Sequence, residues 1–360
     1  MKNATEGGRC FSRWRWVLVA FVEFRLGILR DIRVGAIAHD IFRYSSQGAQ
    51  KQAHTPIGSQ FQVKMSCIAC LCQLSILVKQ HEVAWSIIDT LPENGRFILT
   101  MDGTSWQLGK FKYYVFAVGI CFNGISLLIC FTFLPTRVIT SFVEEIGIME
   151  RVVSLIGHGR IECLLADREF DNSDFIKWLQ INHIRYCLRL RENLFMRKEG
   201  RKKRRKLREV LSSLKLGESI VLHDVWLMRR NMRVRIYATR RTGRNGEESL
   251  IIPASPLECD YTEALYRKRW TLETAFRAMK SAGFNMEETH LGVKRFENML
   301  TLLMIAFAAV FIDGLVKIES LPIPMMKSRN VQRISVFRYG YVNLLYGFRA
   351  NVKNEAAKPT

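Results

Sequence analysis

Three carboxylates in this sequence stand where metal-assisted chemistry on a phosphodiester could use them. Asp102 closes the short apolar run Arg96-Phe-Ile-Leu-Thr-Met-Asp102, and Asp167 closes another, Ile161-Glu-Cys-Leu-Leu-Ala-Asp167. Glu273 falls in a stretch with helical spacing. Mg²⁺ prefers oxygen ligands and keeps several waters, so a few carboxylates make a site. Two such ions can stabilise both the attacking and the leaving oxygen of an in-line displacement. Each acid alone has a plainer use: a strand-end or turn carboxylate for Asp102 and Asp167, a solvated helix residue for Glu273.

The surroundings of Glu273 sharpen the choice. Tyr266, Arg269, Glu273 and Lys280 follow one another at intervals of three, four and seven residues. At about 100° per residue they share an arc of roughly 60° on a continuous helix. A capping box at Asp260 and Glu263 predicts that helix, running to about Ala282. Leu265, Leu272, Phe276 and Met279 form the adjacent stripe, so one stripe packs and the next presents a phenol, two cations and a carboxylate. Cations beside a metal-binding acid suit phosphate oxygens, and a tyrosine hydroxyl can add a hydrogen bond. The plainer alternatives are snorkelling surface charge for Arg269 and Lys280, and packing at the core edge for Tyr266. Arg168, next to Asp167, could contact DNA, orient that acid or form a structural ion pair.

The elements that must hold these residues can be read along the chain. The strand ending at Asp102 is followed by Tyr113–Cys121 and Ile125–Phe133, a hairpin turned at Asn123-Gly124. Phe142, Ile146, Met149, Val153 and Ile156 have helical spacing within Ser141–Ile156. The Asp167 strand comes next, then a helix capped around Asp171-Asn-Ser-Asp and running to about Ile181, then a strand over Arg185–Leu190. Strands over Ser219–His223, Arg233–Thr239 and Ser249–Pro253 precede the Glu273 helix, and a further helix runs from about Lys294 to Val316. This order predicts an α/β fold: an RNase H-like mixed sheet flanked by helices, with a β-rich insertion before the last catalytic helix. The predicted organisation is a poorly defined N-terminal region over 1–90, a catalytic domain over 91–190 and 259–345, a basic β-rich insertion over 191–258, and a tail over 346–360. Ser45–Gln60 reads as a linker.

Composition agrees with a polyanionic partner. The 360 residues carry 54 Lys and Arg against 33 Asp and Glu, a formal net charge of +21. The run from Arg197 to Arg208 holds nine cations and one anion, among them Lys202, Lys203, Arg204 and Arg205. Outside it 45 cations still face 32 anions, so the bias belongs to the whole chain. Nucleic acid is the default partner and an anionic membrane surface the rival. A run of this kind is often just a solvated face; its place in the insertion favours contact with a DNA backbone. Nine Cys form no framework, and Cys67-Ile-Ala-Cys70-Leu-Cys72 lacks the second pair a zinc site needs, which points to inert thiols in a reduced cytoplasm. The uncharged stretch Tyr113–Thr136 is long enough to span a bilayer, but Asn123-Gly124 at its middle makes it a hairpin. No membrane role is expected.

The Tyr266-x2-Arg269-x3-Glu273-x6-Lys280 pattern resembles the YREK signature of the insertion sequence 4 family of DDE transposases at all four positions. Met101-Asp102-Gly-Thr-Ser-Trp106 and Leu164-Leu-Ala-Asp167-Arg-Glu-Phe170 resemble that family's first and second acid segments, and Phe337-Arg-Tyr-Gly340 its C-terminal tail. The resemblance covers roughly 95–345. It implies Asp102, Asp167 and Glu273 as catalytic metal ligands for Mg²⁺ or Mn²⁺, with two ions. It implies phosphate contacts from Tyr266, Arg269 and Lys280, double-stranded DNA (element ends and target) as partner, and a homodimer in the DNA complex. The activity implied is cut-and-paste DNA transposition by cleavage and strand transfer, in a cytoplasmic, nucleoid-associated protein. Gly103 and Ser105 depart from the Arg and Asn of many relatives. Two alternatives stay open: a catalytically impaired DNA-binding remnant, and an RNase H-like nuclease without strand transfer.

Overall fold

The structure, a computed structural model, describes residues 79–343 except 93–94, 109–110, 135–139, 199, 201, 228–231, 244–245, 257–262, 281–283, 285–292 and 324–333. The Cys67–Cys72 motif, the 45–60 linker, Asp260 of the expected capping box and the 346–360 tail lie outside these residues. The chain divides into a larger unit, Leu77–Ile305, and a second that includes the residues from Ala306 onward.

The larger unit is built on a meander. Strands β1 (Phe97–Leu108), β2 (Phe111–Phe122) and β3 (Ile125–Leu134) pair antiparallel in that order. The β2–β3 turn has φ 46° at Asn123 and 85° at Gly124, the two positive values that a tight hairpin matched to strand twist demands. The apolar 113–136 stretch therefore turns back on itself. Helix α1 (Gln80–Ile88) covers the outer edge of the meander. The Gln80 amide donates to the Phe131 carbonyl at 3.2 Å and accepts from the Phe131 N–H at 3.1 Å. One side chain thereby occupies both backbone groups of an edge residue that could otherwise pair with another chain.

Helix α2 (Phe142–Ile156) starts on a capping box in which Ser141 Oγ accepts from the Glu144 N–H and Glu144 accepts from the Ser141 N–H. It returns the chain to β4 (Ile161–Ala166), parallel to β1. Helix α3 (Ser173–Ile181), capped by Asn172, leads to β5 (Tyr186–Arg189), parallel to β4. The order β3-β2-β1-β4-β5, with β2 alone reversed within this set, is the RNase H-like mixed sheet expected from the order of elements.

The strands of 191–258 extend this same sheet. They are β6 (Phe195–Lys198), β7 (Arg205–Lys206), β8 (Ser219–Leu227), β9 (Met232–Thr242), β10 (Glu248–Ile251) and β11 (Pro253–Ser255), with the short helix α4 (Leu207–Val210) after β7. The path runs on from β5 as β11-β9-β8-β6-β7, and β10 also pairs with β9. The single strand expected over Ser249–Pro253 is split: β10 stays with β9, and β11 crosses to join β5 to β9.

Two further expectations are corrected. The first strand does not end at Asp102 but runs to Leu108, because the β2 ladder continues to Leu108↔Phe111 without needing apolar side chains. The helix expected from Asp260 to Ala282 is broken into α5 (Glu263–Arg267) and α6 (Trp270–Lys280). Across the break the N–H groups of Lys268, Arg269, Thr271 and Leu272 bond to carbonyls three residues back, and the Thr271 hydroxyl donates to the Lys268 carbonyl at 2.6 Å. This tight pattern interrupts the four-residue ladder of an α-helix.

Helix α7 (Val293–Ser320) enters both units. By length and composition Arg295–Ser320 could cross a membrane, yet Phe296, Met299, Leu300 and Met304 are buried. Phe296 lies 5.1–5.5 Å from the rings of Phe133, Trp106 and Tyr113. In the second unit Phe307 stacks on Phe337 at 5.0 Å.

Glu145 on α2 is fully buried; Thr140 donates to its Oε1 at 3.1 Å, and Oε2 has no partner. Burial raises its pKa to about 8 against the Thr140 hydrogen bond, and Asp171, Glu169 and Glu144 add to the rise. The native state thus keeps a proton that the unfolded chain releases above its ordinary carboxylate pKa, and stability is lost as pH rises towards 8. Glu145→Gln is expected to stabilise the protein by about 2 kcal/mol at pH 8 and to change little at pH 4. Urea unfolding at the two pH values checks this; equal effects at both would contradict the assignment.

Candidate active site

Parallel pairing decides where the first two acids meet. Met101 on β1 stands beside Ala166 on β4, so the next residues, Asp102 and Asp167, lie abreast. The Gly103 N–H donates to Asp102 Oδ1 at 2.9 Å, and the Arg168 N–H donates to Asp167 Oδ1 at 2.8 Å. Glu273 sits in the first turn of α6, where the positive end of the helix dipole favours a carboxylate.

A buried chain of hydroxyls holds α6 in register with the sheet. Thr100 on β1, Ser126 on β3 and Thr271 on α6 are linked at 2.6 and 2.7 Å. At its two ends the chain is tied to backbone, Thr271 donating to the Lys268 carbonyl at 2.6 Å and Thr100 to the Gly119 carbonyl at 3.3 Å. Every hydroxyl is satisfied, and the helix bearing Glu273 is fixed two residues from the strand position of Asp102.

Arg269, in the break between α5 and α6, ties the acids together. Its side chain is 3% exposed. Nη1 is 3.4 Å from Asp102 Oδ2, while Nη2 is 3.7 Å from Asp167 Oδ2 and 2.9 Å from Glu273 Oε1. The guanidinium also lies 5.1 Å from the Trp270 ring centre and 5.9 Å from that of Tyr266. The Tyr266 hydroxyl, buried, donates to Asp167 Oδ1 at 3.3 Å, and burial pushes its pKa above the usual phenol range, with Asp167 adding to the rise. Burial raises the Asp102 pKa to about 7; Arg269 opposes the rise, and Glu169 and Glu273 add to it. Lys280 Nζ donates to Thr104 Oγ1 at 2.6 Å and to the Ser105 carbonyl, 5.4 Å from the Trp106 ring centre.

Of the residues singled out in the sequence, Asp102, Asp167, Glu273, Tyr266 and Arg269 share one place, and Lys280 adjoins it further along β1. Tyr266 and Arg269 bear on the carboxylates and are buried. Arg168 is exposed, and its backbone N–H holds Asp167. Lys202, Lys203, Arg204 and Arg205 are exposed at the opposite edge of the sheet. Six or seven strand spacings, about 30 Å along the sheet, separate them from the acids.

Sequence reasoning missed three neighbours. Arg189, on β5, places Nη1 3.7 Å from Asp167 Oδ1. Glu169 is drawn into the site two residues after Asp167; burial raises its pKa, the Tyr114 hydroxyl donating at 3.3 and 3.4 Å opposes this, and Asp167 adds to it. Tyr114 takes the space above Gly103, where a Cβ would lie 1.9 Å from its hydroxyl oxygen. The signal for Glu169 was its place in the Asp167-Arg-Glu segment; Arg189 and Tyr114 carried none, since strand pairing alone brings them in.

Among the described residues no three His, Cys, Asp or Glu side chains stand close enough together to hold a metal ion as they are placed; the three acids meet through the guanidinium. The donor set nevertheless fits a hard divalent cation, being all carboxylate oxygen and already directed at one positive charge.

Residues 98–310, more than half of the chain, match the family described as the transposase DDE domain. Among solved structures the chain is similar to the catalytic core domain of HTLV-2 integrase in complex with magnesium, in its dimeric form, at 19% identity and a TM-score of 0.21. That match covers 26% of this chain and 61% of the integrase core. The trimeric form of the same core matches at 18% identity and a TM-score of 0.21, covering 27% of this chain and 61% of that one. No curated protein matches the chain.

Gly103→Ala would drive a methyl group into the Tyr114 ring. A loss of about 1–3 kcal/mol in unfolding free energy is expected, with urea denaturation as the measurement; an unchanged midpoint would mean that Tyr114 is free to move.

Proposed function

This chain belongs to the transposase DDE domain family, and from that premise we propose that it is a cut-and-paste transposase of the insertion sequence 4 kind. It binds the ends of a mobile element, hydrolyses phosphodiester bonds there, and joins the freed 3′ ends to target DNA. The observation that carries this reading is the convergence of Asp102, Asp167 and Glu273 on one buried positive charge. Ordinary surface carboxylates do not gather in this way, since like charges in a half-buried place repel one another.

In this reading Asp102, Asp167 and Glu273 hold Mg²⁺ or Mn²⁺, as two ions. Bound there, the ions would offset the charge of the attacked phosphodiester and activate first a water and later a DNA 3′-hydroxyl. The protein's own groups do the rest. Tyr266 and Arg189 orient Asp167. Lys280, held at Thr104 and Ser105, supplies a cation for phosphate oxygens beside the acids, and Arg269 and Tyr266 belong to the same phosphate-binding set. Lys202, Lys203, Arg204 and Arg205, with Arg168, contact the DNA backbone.

The protein acts as a homodimer on double-stranded DNA in the cytoplasm, at the nucleoid, with the 191–258 strands serving as a DNA-contacting insertion. Glu273→Gln is expected to retain binding to element-end DNA while cleavage in Mg²⁺ or Mn²⁺ falls by at least about 10³-fold, roughly 4 kcal/mol of barrier. Gel-shift and nicking assays on the same DNA measure the two effects. Undiminished cutting by the variant would refute the site; joined products from the wild type separate a transposase from a nuclease.

A further inference from the structure

We infer that Arg269 is the internal counter-ion of this site: its guanidinium occupies the place among the three carboxylates that divalent cations take, and yields it to them. The inference rests on the metal-site reading above and adds a competition to it. The geometry supports it from three sides.

First, a single guanidinium within 2.9–3.7 Å of Asp102, Asp167 and Glu273 is where the negative potential of all three is greatest. A divalent ion would be drawn to the same point, and a buried cation cannot share it with a second one. Second, the Arg269 fork is incompletely used. Its Nε is buried and has no hydrogen-bond partner, an unpaired donor that costs free energy wherever it is left unmet. The side chain is 3% exposed, so that donor can meet a new acceptor, such as a phosphate oxygen, only once the guanidinium leaves the carboxylates. Third, Arg269 belongs to neither flanking helix. It lies at the break, held through its N–H to the Tyr266 carbonyl and through its carbonyl to the Leu272 N–H, so its backbone stays fixed while its side chain moves.

The consequence is that, without DNA, metal binding must first displace Arg269, so the apparent affinity is reduced by the fraction of molecules in which the acids are released. When a phosphate offers Arg269 an alternative partner, that cost disappears. Metal and DNA then bind cooperatively, and the ion site fills chiefly when substrate is present.

The test is a calorimetric titration of Mn²⁺ into DNA-free full-length protein, comparing the wild type with Arg269→Gln and Glu273→Gln. Arg269→Gln is expected to bind Mn²⁺ about ten-fold more tightly than the wild type. Its metal-free form should melt at a lower temperature and regain more of that loss on adding Mn²⁺ than the wild type gains. Glu273→Gln, which removes a ligand, should bind more weakly than either. Affinity of Arg269→Gln equal to or below the wild type, with Glu273→Gln still weakened, overturns the counter-ion role and leaves the metal site standing. Absence of Mn²⁺ binding in all three proteins overturns both. If Arg269→Gln fails to fold, Arg269→Lys replaces it: a point charge cannot span three carboxylates as a planar fork does, so tighter binding is again expected and unchanged binding again refutes.

Discussion

Two unit charges of like sign about 4 Å apart repel by roughly 4 kcal/mol at the effective dielectric of a protein surface. Asp102, Asp167 and Glu273 are 13%, 27% and 37% exposed, so water can relieve only part of that repulsion, and a cation has to stand among them. Much of the architecture serves this need. The β1–β4 register brings two acids abreast, and the Thr100–Ser126–Thr271 chain anchors the helix that carries the third. The interruption between α5 and α6 then puts Arg269 at the point where the three converge.

The neighbours of the site act on the same charge balance. Arg189 adds a second cation to Asp167, and Tyr266 adds a proton donor from the buried side. Glu169 works the other way, contributing negative potential at Asp102 while its own carboxylate is held by Tyr114. Arg189 and Glu169 thus offset one another, and the balance at the site is left to the three acids and Arg269.

The fold was largely legible because its core elements have short-range signatures. Asn123-Gly124 announces a hairpin, the spacing of Phe142, Ile146, Met149, Val153 and Ile156 announces a helix, and the apolar runs before Asp102 and Asp167 announce buried strands. What escaped depends on long-range pairing. Nothing local says that β1 continues through polar Gly103-Thr-Ser to Leu108; its partner strand decides that. The break at Lys268–Arg269 is invisible to helical periodicity, because the apolar stripe on either side remains in phase. The site was legible as a set of residues but not as a set of contacts. The four-residue pattern around Glu273 did not carry the contacts that Tyr266 and Arg269 make with the carboxylates, and Arg189 and Tyr114 arrive through sheet register alone.

The long sheet narrows where its meander half meets the strands of 191–258. Between β5 and β11 only two register pairs, Pro253↔Arg189 and Ala254↔Leu188, join the meander half to the strands that end in the basic hairpin. A sheet resists stretching along its hydrogen bonds but bends where few of them cross, so this neck is a compliant joint, as are the two-pair ladders of β11 with β9 and of β6 with β7. Arg189 is part of that joint and also part of the charge balance around Asp167. The sheet is in this respect a beam one of whose thin sections carries one of the site's own side chains.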